Sequence, residues 1–292
     1  MQHWLRKVRV IFSGAGSLIV NPGLETDNQI TVSFDIQKSI SGTANEAFVQ
    51  IHNLNEASRN SIGREFTDIT IEAGYIPGDG QDYTGVIFSG QIRDFEHYRN
   101  STDIITVVQA GDGDKAIRKT TISKTYPAGT PPETVVEDVY AGFAEHGVKR
   151  GEWLFPPMDP FIRPYSICGG AYREINILGR GKKFYWSIQN QVMEVIPHDL
   201  YLPLITLINK NTGMLDYPRL TDNGIRVRAL INPEVRPNRR IKVESDLIKL
   251  NADHGEYRVG RIDYQGDNRS GTFEMIIHGE SIIGGVVNEG EK

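Results

Sequence analysis

Apolar and polar residues alternate one by one along short stretches of the first and last thirds of this chain. Only a β-strand with one buried face uses that period. Gln29, Thr31, Ser33 and Asp35 alternate with Ile30, Val32, Phe34 and Ile36, and residues 47–54 repeat the pattern. Further strand-like stretches cover residues 4–12, 67–75, 85–92 and 103–110, then 224–230, 240–244, 256–264 and 272–279. Pro77-Gly78-Asp79-Gly80 and the run 265–271 supply turn chemistry between them. Many short strands with regular turn signals predict sandwiches or barrels. One short helical turn is expected over residues 54–62, with Asn55 as its cap.

The middle of the chain has a different period. Val135, Val139 and Phe143 fall at i, i+4 and i+8, behind Pro131 and Pro132, which predicts an amphipathic helix over 134–144 ending near Gly147. A second helix is expected over 171–178, with Gly179 and Gly181 following it. Residues 184–188 and 192–196 read as a hairpin around Gln189-Asn190-Gln191. The expected fold is therefore mainly β with a small α/β insert. Its domains would be a β-barrel or sandwich at 1–118, a mixed α/β unit at 119–203 and a second β-barrel or sandwich at 204–292.

Two strand pairs resemble each other. Gly90-Gln91-Ile92 leads through a polar turn near Asn100 to Gly111-Asp112; Gly260-Arg261-Ile262 leads through one near Asn268 to Gly279-Glu280. Two unrelated hairpins of equal length produce that spacing, and so do two β-domains of common architecture flanking the insert.

Residue chemistry narrows the function classes. The 292 residues carry a formal charge of −5, whereas a dedicated nucleic-acid binder is usually strongly basic. A single cysteine, Cys168, leaves no internal disulfide and no Cys-based zinc site; a small buried hydrophobe is its expected role. The seven histidines are dispersed, with no HExxH. Gly14-Ala15-Gly16-Ser17 lacks the third glycine of a dinucleotide loop and reads as a bend or strand edge. Gly179-Arg180-Gly181-Lys182-Lys183 lacks the earlier glycine and the Ser/Thr of a phosphate loop, and reads as a helix end with solvated lysines. Asp112-Gly113-Asp114 and Asp79-Gly80-Gln81-Asp82 lack a calcium loop's closing glutamate. Arg236, Arg239 and Arg240 read as a solvated strand edge, with ion pairing between subunits as the rival. The longest early uncharged run, 10–24, is too short and too polar to span a membrane, and small and polar residues break it as a signal peptide. No catalytic, cofactor-binding or metal-binding residue is assigned, and no cofactor is expected.

Several segments, in order, resemble the phage tail and baseplate hub family. They are Phe88-Ser89-Gly90-Gln91-Ile92, Ala110-Gly111-Asp112-Gly113, and Trp186-Ser187-Ile188-Gln189 ahead of 192–195. The run Asn211-Thr212-Gly213-Met214-Leu215-Asp216-Tyr217-Pro218 follows, then Thr221 and 224–227, then 229–233, then 255–259 leading to 266–271. Asp216-Tyr217 departs from the pattern, which has a small residue before the proline. The resemblance covers residues 8–285. It implies two tail-tube-like barrels per chain and a homotrimer with six barrels around a channel. A tail tube protein would lie above, a spike or puncturing protein below, with the tape-measure protein as a further contact. DNA would pass without specific binding, there would be no integral membrane segment, and the place would be the virion baseplate after synthesis in the host cytoplasm. Gly90, Gly111, Gly213, Pro218, Gly224, Asn232, Pro233, Gly266, Asp267 and Asn268 carry the motifs, as setters of turns and register. The rivals are a β-sandwich binder of carbohydrate or receptor, with Tyr83, Tyr98 and Tyr217 as its platform, and a cell-wall hydrolase.

Overall fold

The computed structural model describes residues 5–23, 29–76, 83–222, 224–246, 250 and 253–281. The turn at 77–80, the loop at 79–82, Trp4 and Leu24 lie outside them. The N-terminal part holds β1 (Leu5–Gly14), β2 (Ser17–Val20), β3 (Val32–Ser39), β4 (Glu46–His52), α1 (Glu56–Ser61), β5 (Phe66–Ile76), β6 (Tyr83–Asn100) and β7 (Asp103–Gly111). The middle holds α2 (Asp114–Lys119), β8 (Thr121–Tyr126), α3 (Glu133–Ala144), β9 (Lys149–Trp153), β10 (Tyr165–Gly170), α4 (Ala171–Lys182), β11 (Phe184–Gln189) and β12 (Val192–Pro197). The C-terminal part holds β13 (Leu202–Ile208), β14 (Arg219–Thr221), β15 (Gly224–Ala229), β16 (Arg239–Val243), β17 (Glu256–Asp267) and β18 (Phe273–Glu280). The protein is mainly β with a small α/β insert, as its periodicities predict.

The strand order is β14-β15-β18-β17-β3-β4-β7-β6-β5-β1-β2 in one sheet, with β16 pairing both β13 and β17. Within it the runs β3-β4-β7-β6 and β14-β15-β18-β17 have the same connectivity. The likeness of the two glycine-flanked hairpins is thus the visible part of a repeated topology. Each hairpin carries a bulge in its first strand, at Arg93 in β6, three residues past Gly90, and at Gly260 itself in β17.

β17 joins the two runs. Residues 256–258 pair with β16, and residues 261–267 pair with β3 from Ser39 to Ser33. At the handover the Val259 carbonyl accepts the Asn238 N–H (3.0 Å) and the Gly260 carbonyl accepts the Ile40 N–H (2.9 Å). These two bonds carry the pairing across the handover, and the apolar faces of both runs close on one continuous core. Val10, Phe12, Ile36, Val49 and Phe88 from one part share it with Val227, Ile241, Tyr257, Ile262 and Ile277 from the other.

The middle unit has its own core. Val135, Val136, Val139 and Phe143 of α3 and Ala171, Ile175 and Leu178 of α4 bury against Phe184, Trp186, Met193 and Val195. α3 begins one residue ahead of its expected start, while α4 runs on through Gly179 and Gly181 to Lys182 and stops at Lys183, whose φ is 61°. The glycine–lysine run is therefore the helix's last turn. A Cβ at Gly179 would sit 2.9 Å from the Phe184 carbonyl, so glycine there permits the close approach of β11 to α4. Asn55 caps α1 as expected, its Oδ1 accepting the Ser58 N–H at 2.8 Å. Cys168 corrects its expected role: it is exposed on β10, and its neighbour Ile167 is the buried residue.

Arg258 holds the link from this unit to the C-terminal strands. Its buried guanidinium donates to the carbonyls of His198 (2.8 Å) and Leu200 (3.1 Å) and to Glu280 (2.7 Å), and stacks over Tyr185. Arg258→Met keeps the stem but strands two carbonyls. We expect it to lower unfolding free energy by about 3 kcal/mol in urea titration; a loss under about 0.5 kcal/mol would show the link held by other contacts.

Candidate functional site: the open face of the shared sheet

Eight neighbouring strands, β14-β15-β18-β17-β3-β4-β7-β6, share one open face; the six inner strands bury their other face in the core, while β14 and residues 93–100 of β6 are exposed on both. Strand alternation decides which residues go where. In β15, Ile225 and Val227 are buried while Arg226 and Arg228 are exposed; in β3, Val32, Phe34 and Ile36 are buried while Asp35 and Gln37 are exposed. Register then places the outward residues in rows. One row runs Glu274, Gln265, Asp35, Phe48, Gln109, Asp94 across six strands. Another runs Arg219, Arg226, His278, Arg261, Ser39.

The face is polar, with its charges divided. Arg219, Arg226, Arg228 and Arg261 lie toward β14, and Asp35, Glu46, Asp94 and Glu96 toward β6. Arg228 is bidentate on Glu274 (2.8 and 3.1 Å), and Arg261 reaches Asp263 (2.8 Å), which also meets His278 Nε2 at 3.1 Å. Burial lowers the His278 pKa and raises that of Asp35, where the Asp263 charge adds to the rise. Phe48 is the large apolar side chain near the middle of the first row.

The motif residues fall into three groups. Gly90 and Gly111 are cross-strand neighbours in the β6–β7 hairpin, where a Gly90 Cβ would sit 2.6 Å from the Gly111 carbonyl. Gly266, Asp267 and Asn268 end β17 near the open face: Asp267 accepts the N–H groups of Arg269 (2.7 Å) and Ser270 (2.9 Å). Asn268 accepts the Val32 N–H (2.9 Å) and donates to the Ile30 carbonyl (3.0 Å). Gly213, Asn232 and Pro233 line one groove with Tyr83 and Lys210, and Gly224 opens β15. Pro218 is buried, and beside it Asp216 lies 3.8 Å from Arg228 while Tyr217 is 59% exposed.

Tyr83 and Tyr217 flank Lys210 in adjoining grooves. Tyr98 stands fifteen residues from Tyr83 on the same strand, about 50 Å away along an extended chain, so the three tyrosines share no platform. Among the described residues no group of three His, Cys, Asp or Glu converges as a metal-ligand set, and no helix is long and apolar enough to cross a membrane.

Sequence reading missed the polar joints that hold the middle unit to the sheet. The β11–β12 turn, with Asn190 and Gln191 at positive φ, inserts beside fully buried Asp112. That carboxylate accepts the N–H groups of Asn190 (2.5 Å) and Gln191 (2.7 Å), while Lys38 donates to Asn190 Oδ1 (2.7 Å). Burial pushes the Asp112 pKa up to about 6 against the pull of Lys38, and pushes Lys38 down to about 8. A second joint sets buried Glu194 on Arg239 (2.6 and 2.7 Å). Arg239 and Arg240 are thus mostly buried ion-pair members, Arg240 meeting Glu256 at 2.9 Å, and not a solvated edge. The only local signal was an acidic residue followed by glycine after a strand, which turns also show.

The fold is similar to those of solved phage tail proteins. The 43 kDa tail protein of prophage MuSo2 from Shewanella oneidensis superposes with a TM-score of 0.63 at 10% identity, over 94% of this chain and 98% of that one. The E. coli protein c3393, a type VI secretion component with structural similarity to T4 tail proteins gp27 and gp5, gives 0.64 at 11%, over 94% and 76%. A tail protein of Neisseria meningitidis MC58 gives 0.60 at 8%, over 95% and 96%. A search of curated protein sequences returns no significant match. The family model for baseplate hub gp41 matches residues 8–279, and the chain belongs to that family of structural phage baseplate proteins.

Proposed function

We propose that this chain is the subunit of a homotrimeric hub ring whose bore is lined by the open face of the eight-strand run. The observation that carries the reading is the pair of four-strand runs with one topology, joined edge to edge through β17 and β3. Three chains would present six near-equivalent units, matching a sixfold tail tube protein above, while the ring's own threefold symmetry matches a spike below. In this reading residues 1–118 and 204–292 are the ring units, residues 119–203 brace both, and the motif residues set turns and register. The tape-measure protein is a further contact, and the place of action is the virion baseplate.

Dimensions support three copies. At about 4.8 Å per strand, eight strands span about 38 Å, and three copies close a ring about 37 Å across. A side-chain layer of about 5 Å on each wall leaves on the order of 25 Å, room for a duplex, whereas two copies would leave about 14 Å. The face has no lysine row and its arginines are partly neutralised, so passing phosphate would meet little grip. No residue is assigned a catalytic step.

Light scattering across a concentration series tests this. The expected mass is three times 32.7 kDa. A monomer that persists both at high concentration and with purified tube protein would overturn the ring.

A further inference from the structure

We propose that neighbouring copies in the ring meet strand edge to strand edge, β14 of one beside the outer half of β6 (residues 93–100) of the next. Arg219 and Arg226 would face Asp94 and Glu96 across that seam. The inference rests on the ring reading and adds to it which surfaces touch and what pairs them.

Both edges end the same open face. β14 is the last strand in the sheet order, and among the described residues no strand pairs with residues 93–100 on the side away from β7, because β5 leaves β6 at Gln91. Both edges also show large apolar side chains. Leu215, Tyr217 and Leu220 are exposed along the first, Phe95 and Tyr98 along the second. Exposed apolar edges of this kind pair with other chains unless they are covered.

Charge selects the partner. Arg219 lies directly opposite Arg226, and like charges in register across two strands repel. Neither guanidinium has an ion-pair partner among the described residues, whereas Arg228 and Arg261 on the same face are paired. At the far end Asp94 and Glu96 project from the same face two residues apart, also without a cation partner among the described residues. Two different patches of opposite sign on one molecule make a head-to-tail contact, the kind that closes rings. β2 and β13 are also edge strands with exposed apolar residues, but neither carries a charge to select a partner.

Charge reversal tests the seam with the full chain. Arg219→Glu with Arg226→Glu, or Asp94→Arg with Glu96→Arg, is expected to raise the concentration at which trimers dissociate at least tenfold in light scattering. All four changes in one chain should restore it, since each seam then brings reversed edges together. As a second readout, Leu220→Cys with Phe95→Cys in a Cys168→Ser background should give a covalent trimer under oxidation. If wild type and both reversed pairs stay trimeric alike, the seam lies elsewhere and the ring reading stands. If wild type is monomeric throughout and the cysteines never link, ring and seam fall together.

Discussion

Asp112→Ala is expected to lower the unfolding free energy by about 3–5 kcal/mol at neutral pH, the usual cost of removing one member of a buried charged pair. The mutation leaves Lys38 buried without its counter-charge, and it leaves the N–H groups of Asn190 and Gln191 facing a void. Urea denaturation of the purified chain measures it. Adding Lys38→Met to Asp112→Ala should recover part of the loss, because the double variant buries no unpaired charge. A cost under about 1 kcal/mol for Asp112→Ala would mean that water enters the joint and replaces the carboxylate.

The same joint has a pH signature. The Asp112 pKa is raised from 3.8 to about 6, so its contribution is full below the unfolded value and is lost as pH rises through about 6. The Lys38 pKa is lowered from 10.5 to about 8, so its contribution is full above the unfolded value and is lost as pH falls through about 8. The joint is therefore weakest between pH 6 and 8, where both groups are charged. Wild type should show a shallow stability minimum there that the double variant lacks.

Gly224→Ala should have the second large effect. A Cβ there would sit 1.9 Å from the Gly279 carbonyl, and backbone on the central partner strand cannot swing aside as a side chain would. β15 must shift away from β18, breaking ladder bonds, at about 3 kcal/mol or more. β14 moves with β15, so assembly should fail at temperatures where the variant is still folded. The control is Gly271→Ala, whose Cβ meets nothing within 4 Å but whose φ of 66° costs about 1 kcal/mol. Thermal unfolding followed by circular dichroism, with mass measured in parallel, separates the two. Equal losses at both positions would show that the β15–β18 contact is not tight.

Much of the β-structure was legible because alternation is a local property. A stretch such as 29–36 states which residues face a core without saying which core. Helix α3 was legible for the same reason, from three apolar residues at four-residue spacing. Elements without a local signature were not: β13 has buried Leu202, Thr206 and Ile208 among exposed Leu204, Ile205 and Leu207, a pattern its sequence does not announce. α2 and β14 are too short to show any period. β17 was read three residues short, because alternation fades into polar turn residues while the ladder to β3 continues to Asp267.

The candidate surface divides in the same way. The order of short turn motifs carried the family resemblance, and the glycine spacing hinted at duplication, since both are properties of the chain in one dimension. Whether two hairpins of equal length are equivalents depends on which strands they pair with, and hydrogen bonds between β17 and β3 join residues more than 220 positions apart. The rows of charge on the open face arise from register across eight strands. The burial of Asp112, Glu194 and Arg258 depends on a middle unit docking against both ends of the chain. By itself the sequence determined the period, the turns and the class of fold. Tertiary structure alone decided which strands lie together, which charges are buried and which face is left open, because those outcomes are set by long-range pairing and desolvation that no local stretch of residues encodes.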